Sequence, residues 1–338
     1  MRVTVFGAGA IGGLLGASFA RSGQAVSLIA RGAHLAAIRA NGLRLVRGGE
    51  SGSQAVPASD DPRDFGVQDV VVLAVKAPAL RSAIEALPPL LGPATVVVPA
   101  LNGIPWWYGA SEPLQSVDPG GALLRALDVE RIVGCVVHAA ASVPEPGTVV
   151  HTSGDLFYLG EPDGSHSSRL EQIVALFNDA GLRGTATADI RREIWVKAWG
   201  NAAFNPLSVV AEATIEELCT EPHLAAGLRA IMAEVRDVAA AQGVAMPMSI
   251  EERVDVARRL GAFKSSMLQD YEARRPLELD AILGAVIELG HRSRIAVPAL
   301  ETLYGLAFAR AKRAGCISTC IGPAASTTCV AASVSRSS

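Results

Sequence analysis

Directly after Met1-Arg2, the apolar run Val3-Thr4-Val5-Phe6 ends in Gly7-Ala8-Gly9-Ala10-Ile11-Gly12. This G-x-G-x-x-G follows a predicted strand, Arg2–Phe6, and opens a predicted helix, Ile11–Ser22. That order is what a dinucleotide-binding βαβ unit requires. Gly7 would permit a tight turn, Gly9 would let a pyrophosphate approach the backbone, and Gly12 would let the helix pack on the sheet. Ala8, Ala10 and Ile11 complete the loop, whose helix end presents free N–H groups and a partial positive charge to phosphates. The alternative is a glycine-rich turn with no ligand.

A second strand, Ala25–Ala30, should lie beside the first. NAD-binding proteins place Asp or Glu at its end to accept from the ribose 2′-OH. Here the strand runs into Ala30-Arg31-Gly32, with no carboxylate. Arg31 suits a 2′-phosphate through a charge-assisted contact, so NADP(H) is the expected cofactor. A solvated loop arginine is the plainer reading of Arg31 alone.

Asp69–Val75 and Thr95–Ala100 are apolar on consecutive positions, as in parallel strands covered on both faces. Lys76 and Asn102-Gly103 follow them, at strand ends where an open α/β sheet binds ligands. Lys76 could reach a cofactor phosphate or a substrate carboxylate, and Asn102 the nicotinamide ribose or the substrate. Arg131–Ala141, Thr148–His151 and Asp155–Gly160 read as later strands, and Arg169–Asn178 as an amphipathic helix. From Ile190 onward helical periodicity dominates.

The expected architecture is α/β: a Rossmann-type doubly wound sheet over 1–188, an all-helical region over 189–315, and a flexible tail over 316–338. Cys316-x3-Cys320 with Cys329 fits no common zinc spacing, so no metal is expected. Thirty Lys+Arg against 33 Asp+Glu leave a net charge of −3, which argues against nucleic acid as a partner. The apolar stretches are strand-length, too short to span a bilayer. With no leader-like start and an odd five cysteines, a cytoplasmic enzyme with free thiols and a small-molecule partner is expected. A homodimer stays open.

The richest segment is Ile194-Trp195-Val196-Lys197-Ala198-Trp199-Gly200-Asn201-Ala202-Ala203-Phe204-Asn205-Pro206. Lys197, Asn201 and Asn205 recur at i, i+4 and i+8, on one helix face. Among so many apolar neighbours the lysine is expected to be desolvated, which lowers its pKa toward the range useful for proton donation. Ser266 offers a hydroxyl to a substrate carboxylate, with Ser265 as its rival. Pro276 suits a first helical position, which would place Glu278 in a first turn favoured by the helix dipole, and a carboxylate near Lys197 would hold the ammonium charged and oriented.

The glycine loop, Lys76, Asn102-Gly103, Lys197-x3-Asn201-x3-Asn205-Pro206-Leu207, and Ser265-Ser266-Met267-Leu268-Gln269-Asp270 followed by Glu278 resemble the ketopantoate reductase (2-dehydropantoate 2-reductase) family. The resemblance covers the chain to about Ala314. It implies NADPH-dependent reduction of ketopantoate to pantoate, a pantothenate-forming step toward coenzyme A. It further implies that Lys197 donates the proton and that Asn201, Asn205 and Ser266 hold substrate. Glu278 would meet cofactor or substrate near Lys197, while Lys76, Asn102 and the backbone near Ala140 would bind cofactor. Two departures stand out. Thr214-Ile215 replaces a further asparagine of some members, and Trp106-Trp107-Tyr108 is a bulky block that could reshape the pocket, cover it, or simply pack. That block keeps open a reductase of a bulkier 2-keto acid. A non-catalytic NADP(H)-binding sensor is the other alternative.

Overall fold

A computed structural model describes residues 1–317. The expected tail lies outside the described residues apart from Cys316 and Ile317, and Cys320 and Cys329 lie outside them with it. The elements run β1 (Arg2–Phe6), α1 (Ala10–Arg21), β2 (Ala25–Ile29), α2 (Gly32–Asn41), β3 (Leu43–Arg47), β4 (Glu50–Gln54), β5 (Ala58–Ser59), β6 (Val70–Leu73), α3 (Leu80–Glu85), β7 (Val96–Pro99) and α4 (Ala122–Ala126). Then come β8 (Gly134–Glu145), β9 (Thr148–Gly160), α5 (Ser168–Asp179), β10 (Arg183–Ala186), α6 (Ile190–Ala211), α7 (Ile215–Thr220) and α8 (Pro222–Ala241). The chain continues through α9 (Ile250–Arg258), α10 (Ser266–Glu272), α11 (Ala285–Arg292) and α12 (Pro298–Arg313).

The first sheet is wholly parallel, in the order β5-β2-β1-β6-β7. Its Val-rich strands are buried because helices and a second sheet cover both faces. The strand order reverses between β1 and β6, so a crevice opens beyond their carboxyl ends. Gly7, Lys76 and Asn102 all follow strands of this sheet.

The rest of the N-terminal half departs from a single doubly wound sheet. Strands β10-β9-β3-β4 form a second sheet, and β8 pairs antiparallel with β9. The two runs expected at Thr148–His151 and Asp155–Gly160 are one continuous strand. The β3–β4 hairpin turns through Gly48 and Gly49, both at positive φ (59° and 85°), which suits a two-residue hairpin.

Helix α6 is apolar on nearly all sides and sits centrally, packed by α8, α10 and α12. One core cluster runs unbroken from β6 and β7 through Trp106, Trp107 and Tyr108 to Trp195 and Trp199 on α6. The aromatic block therefore ties the parallel sheet to the helix bearing Lys197. Among the described residues no helix is long and apolar enough to cross a membrane.

Candidate active site

The glycine loop is shaped by close packing. A side chain at Gly12 would put its Cβ 2.0 Å from the Gly7 carbonyl oxygen, and one at Gly7 would lie 2.9 Å from the Ala74 oxygen. Gly7 also holds φ 101°, which other residues rarely adopt. Gly9 differs: among the described residues nothing lies within 4 Å of a Cβ placed there. It precedes α1, whose N-terminus has no side-chain cap. The loop thus has two glycines fixed by neighbours and one facing space, beside unclaimed backbone donors. His34 braces it: Nε2 bonds the Ala8 carbonyl at 2.7 Å, and Nδ1 accepts from Gly147 N at 2.9 Å. Sequence reasoning missed His34, which carries no motif signal. Arg31 is exposed at the N-terminal boundary of α2, just past the end of β2.

The Asn102 loop is fixed from the helical side. Ile104 N donates to the Ala281 carbonyl at 2.8 Å, and a Cβ at Gly103 would fall 2.3 Å from that same oxygen. Asn102 Oδ1, held in this way, accepts from Lys197 Nζ at 2.6 Å. This bond joins the strand-end loop to the Lys–Asn face of α6. Burial pushes the Lys197 pKa down to about 8, against smaller upward pulls from Cys135 and Glu278. Burial also drives the Cys135 thiol up to about 12, so it stays protonated.

Asn201 and Asn205 lie on the same face as Lys197, and their side-chain amides bond no partner among the described residues. Open amides along one face of a largely buried helix are free to bond a ligand. Ser265 and Ser266 differ in their neighbours. Ser265 caps α10, accepting from Leu268 N at 3.0 Å, and shares a 2.6 Å bond with Ser208 Oγ. Ser266 is exposed, with no side-chain bond among the described residues.

Glu278 requires two corrections. Residues 275–278 are irregular and the helix begins after Glu278, with a π turn over Asp280–Gly284 leading into α11. Pro276 therefore does not start the helix, and Glu278 sits at its N-terminal boundary rather than in its first turn. The docking of Ile104 on Ala281 is a tertiary contact of that π turn, which local propensity does not report. The second correction concerns the partner. Glu278 Oε1 accepts from Ala77 N at 2.9 Å, so Asn102, not Glu278, holds the lysine directly. Burial raises the Glu278 pKa, opposed by the Ala77 bond and by Lys76. Lys76 is engaged by Asp270 at 2.5 Å, which also pairs Arg275 at 3.0 Å, so it links the sheet to α10.

Ala140 falls where the β8–β9 ladder shifts register on both sides, which releases backbone groups from regular pairing. Two residues earlier stands His138, absent from the sequence expectations because it sits in an apolar strand. Its Nε2 is buried without a partner among the described residues. Burial, Lys197 and Arg253 together push its pKa down to about 4, so the ring is neutral at pH 7.

The departures from the resemblance also resolve. Trp106, Trp107 and Tyr108 are all buried; Trp195 Nε1 donates to Tyr108 Oη at 2.8 Å, and Arg191 stacks on the Tyr108 ring at 4.4 Å. The block is core, not a cover, although Trp107 also lines a small pocket with Lys197, and Trp106 lines the cleft that holds Asn102 and Glu278. Thr214 caps α7 in a reciprocal pair with Glu217, so it serves the helix.

Residues 3–164 match the family described as ketopantoate reductase PanE/ApbA, and residues 189–311 match its C-terminal part. A 2-dehydropantoate 2-reductase of Mesorhizobium japonicum is 42% identical over 94% of this chain and 100% of its own. A crystal structure of a candidate ketopantoate reductase from Ralstonia solanacearum superposes with TM-score 0.89 at 42% identity, covering 92% of this chain and 98% of that one. D-mandelate dehydrogenase, solved with NADH and anilino(oxo)acetate, shares the fold at TM-score 0.82 and 22% identity, over 94% of this chain and 100% of its own. With the two family matches spanning both the glycine loop and the Lys197 helix, the chain belongs to the ketopantoate reductase family.

Proposed function

We propose that the protein is an NADPH-dependent oxidoreductase that reduces a 2-keto acid, ketopantoate, to pantoate. The observation that carries this reading is the 2.6 Å bond between Lys197 Nζ and Asn102 Oδ1. It sets a partly buried ammonium at the end of a nucleotide-type sheet, with a pKa pushed down to about 8. The open side of Gly9 and the uncapped start of α1 fit a dinucleotide pyrophosphate, and Arg31 favours the 2′-phosphate of NADPH. Asn102, Glu278, Lys76 and the backbone near Ala140 would contact the cofactor.

When bound, the reduced nicotinamide supplies a hydride to the keto carbon. Lys197 supplies the proton to the oxygen that becomes a hydroxyl, stabilising negative charge as it forms. Asn102 aims the ammonium. Asn201, Asn205 and Ser266 hold the substrate so that its carbonyl faces both groups.

The test is NADPH oxidation across a panel of 2-keto acids, with NADH in parallel. Ketopantoate with NADPH is expected to give the highest kcat/KM. Tight NADPH binding with no turnover on any keto acid would instead support the sensor, and ketopantoate as the poorest substrate would overturn the substrate assignment.

A further inference from the structure

Helix α9 approaches the Lys–Asn face of α6 from the side. The Arg253 guanidinium lies against Gly200, where a Cβ would come 2.5 Å from Nη2 and 3.5 Å from Cζ, and its Cζ is 5.7 Å from the Phe204 ring centroid. Gly200 and Phe204 interleave with Lys197, Asn201 and Asn205 at i+3 and i+7, so they share one stripe of the helix. A side chain at position 200 would occupy the guanidinium's place.

Arg253 is also singular in its pairing. Among the described residues it is the only arginine that is not exposed and has neither an ion pair nor a side-chain hydrogen bond. The acids of its own helix are committed elsewhere. Glu251 binds Arg229 through two bonds of 2.7 and 2.8 Å, Glu252 closes the Ser249 cap, and Asp255 pairs Arg258 at 3.0 Å. His138, from β8, feels the charges of both Lys197 and Arg253 and offers a neutral ring with an uncommitted Nε2. Among the described residues Arg253 has no ion-pair partner, and a half-buried cation without one is costly to hold unless a ligand brings the negative charge. The guanidinium fork matches a carboxylate in two parallel bonds, and a neutral imidazole beside it adds no competing charge.

We propose that Arg253 is a substrate-binding residue that takes the carboxylate of the 2-keto acid. This rests on the reductase reading above, and it separates two jobs: Lys197 meets the keto oxygen, and Arg253 meets the acid end. An uncharged ketone of the same shape would lose the second contact.

The experiment uses the full-length protein and Arg253→Gln, with Arg253→Lys as the variant that keeps charge but loses the fork. Steady-state kinetics with ketopantoate are combined with inhibition by pantoate and by the uncharged pantoyl lactone. Arg253→Gln should raise KM for ketopantoate by about 30-fold or more and weaken pantoate inhibition in parallel. NADPH affinity, lactone inhibition and kcat should stay near wild type, with Arg253→Lys in between. Unchanged KM in both variants, or equal weakening of pantoate and lactone, overturns the proposal while leaving the reductase reading intact. Wild-type protein that turns over no 2-keto acid removes the reading and this proposal together.

Discussion

The glycine loop and the α6 face are built by opposite means. The loop is made of backbone: Gly7 and Gly12 are required because neighbouring carbonyls leave no room for a side chain, and His34 braces the turn. The α6 face is made of side chains, and several of them, Asn201, Asn205 and the nearby Ser266 and Arg253, are open among the described residues. A backbone site recognises what all dinucleotides share, and a side-chain site selects one small molecule. The Lys197–Asn102 bond ties the α6 face to the loop after β7, in the same sheet whose β1 leads into the glycine loop.

The comparison is tested first where the two regions should separate most. Lys197→Ala should lower kcat by about 10²–10⁴-fold. NADPH affinity, measured by fluorescence titration, should change little, because the loop does not depend on the lysine. Equal losses of turnover and cofactor binding would show that the regions are not separable.

Gly12→Val is the converse test. Its Cβ would collide with the Gly7 oxygen, only 2.0 Å away. NADPH affinity should fall by about 100-fold, a few kcal/mol, provided circular dichroism shows the fold retained. Retained affinity would mean that the turn does not cradle the pyrophosphate.

Arg31→Asp is the smallest test and sharpens the cofactor end alone. It should weaken NADPH relative to NADH by about tenfold, near the value of one exposed charge-assisted contact. An unchanged preference would remove Arg31 from 2′-phosphate recognition.

The legible parts of the molecule were those set by local pattern. The glycine loop lay between a five-residue strand and a helix, and α6 begins at Ile190, where helical periodicity was expected to take over. Lys197, Asn201 and Asn205 were singled out because a nine-residue span fixes a helix face without tertiary information, and α6 carries all three on one face. What depended on distant pairing was hidden. Strand β3 pairs with β9 about a hundred residues away, Arg44 opposite Thr148, and its own alternation gives no hint of that partner. Glu278 was placed wrongly because Pro276 looks like a helix start, whereas the π turn that follows is docked on Ile104. Arg253 was invisible because α9 is rich in charge, and only the absent side chain at Gly200 reveals where its guanidinium rests.

The central claim is that Lys197 is the proton donor, and the pH dependence of kcat for ketopantoate reduction tests it most directly. Burial lowers the lysine to about 8, so the ammonium needed for reduction persists below that pH and is lost above it. The account predicts a level kcat at neutral pH that falls about tenfold per pH unit on the alkaline side, with the break moving upward in Lys197→Arg. A profile that stays flat through the alkaline range, with chemistry shown to be rate-limiting, would contradict it.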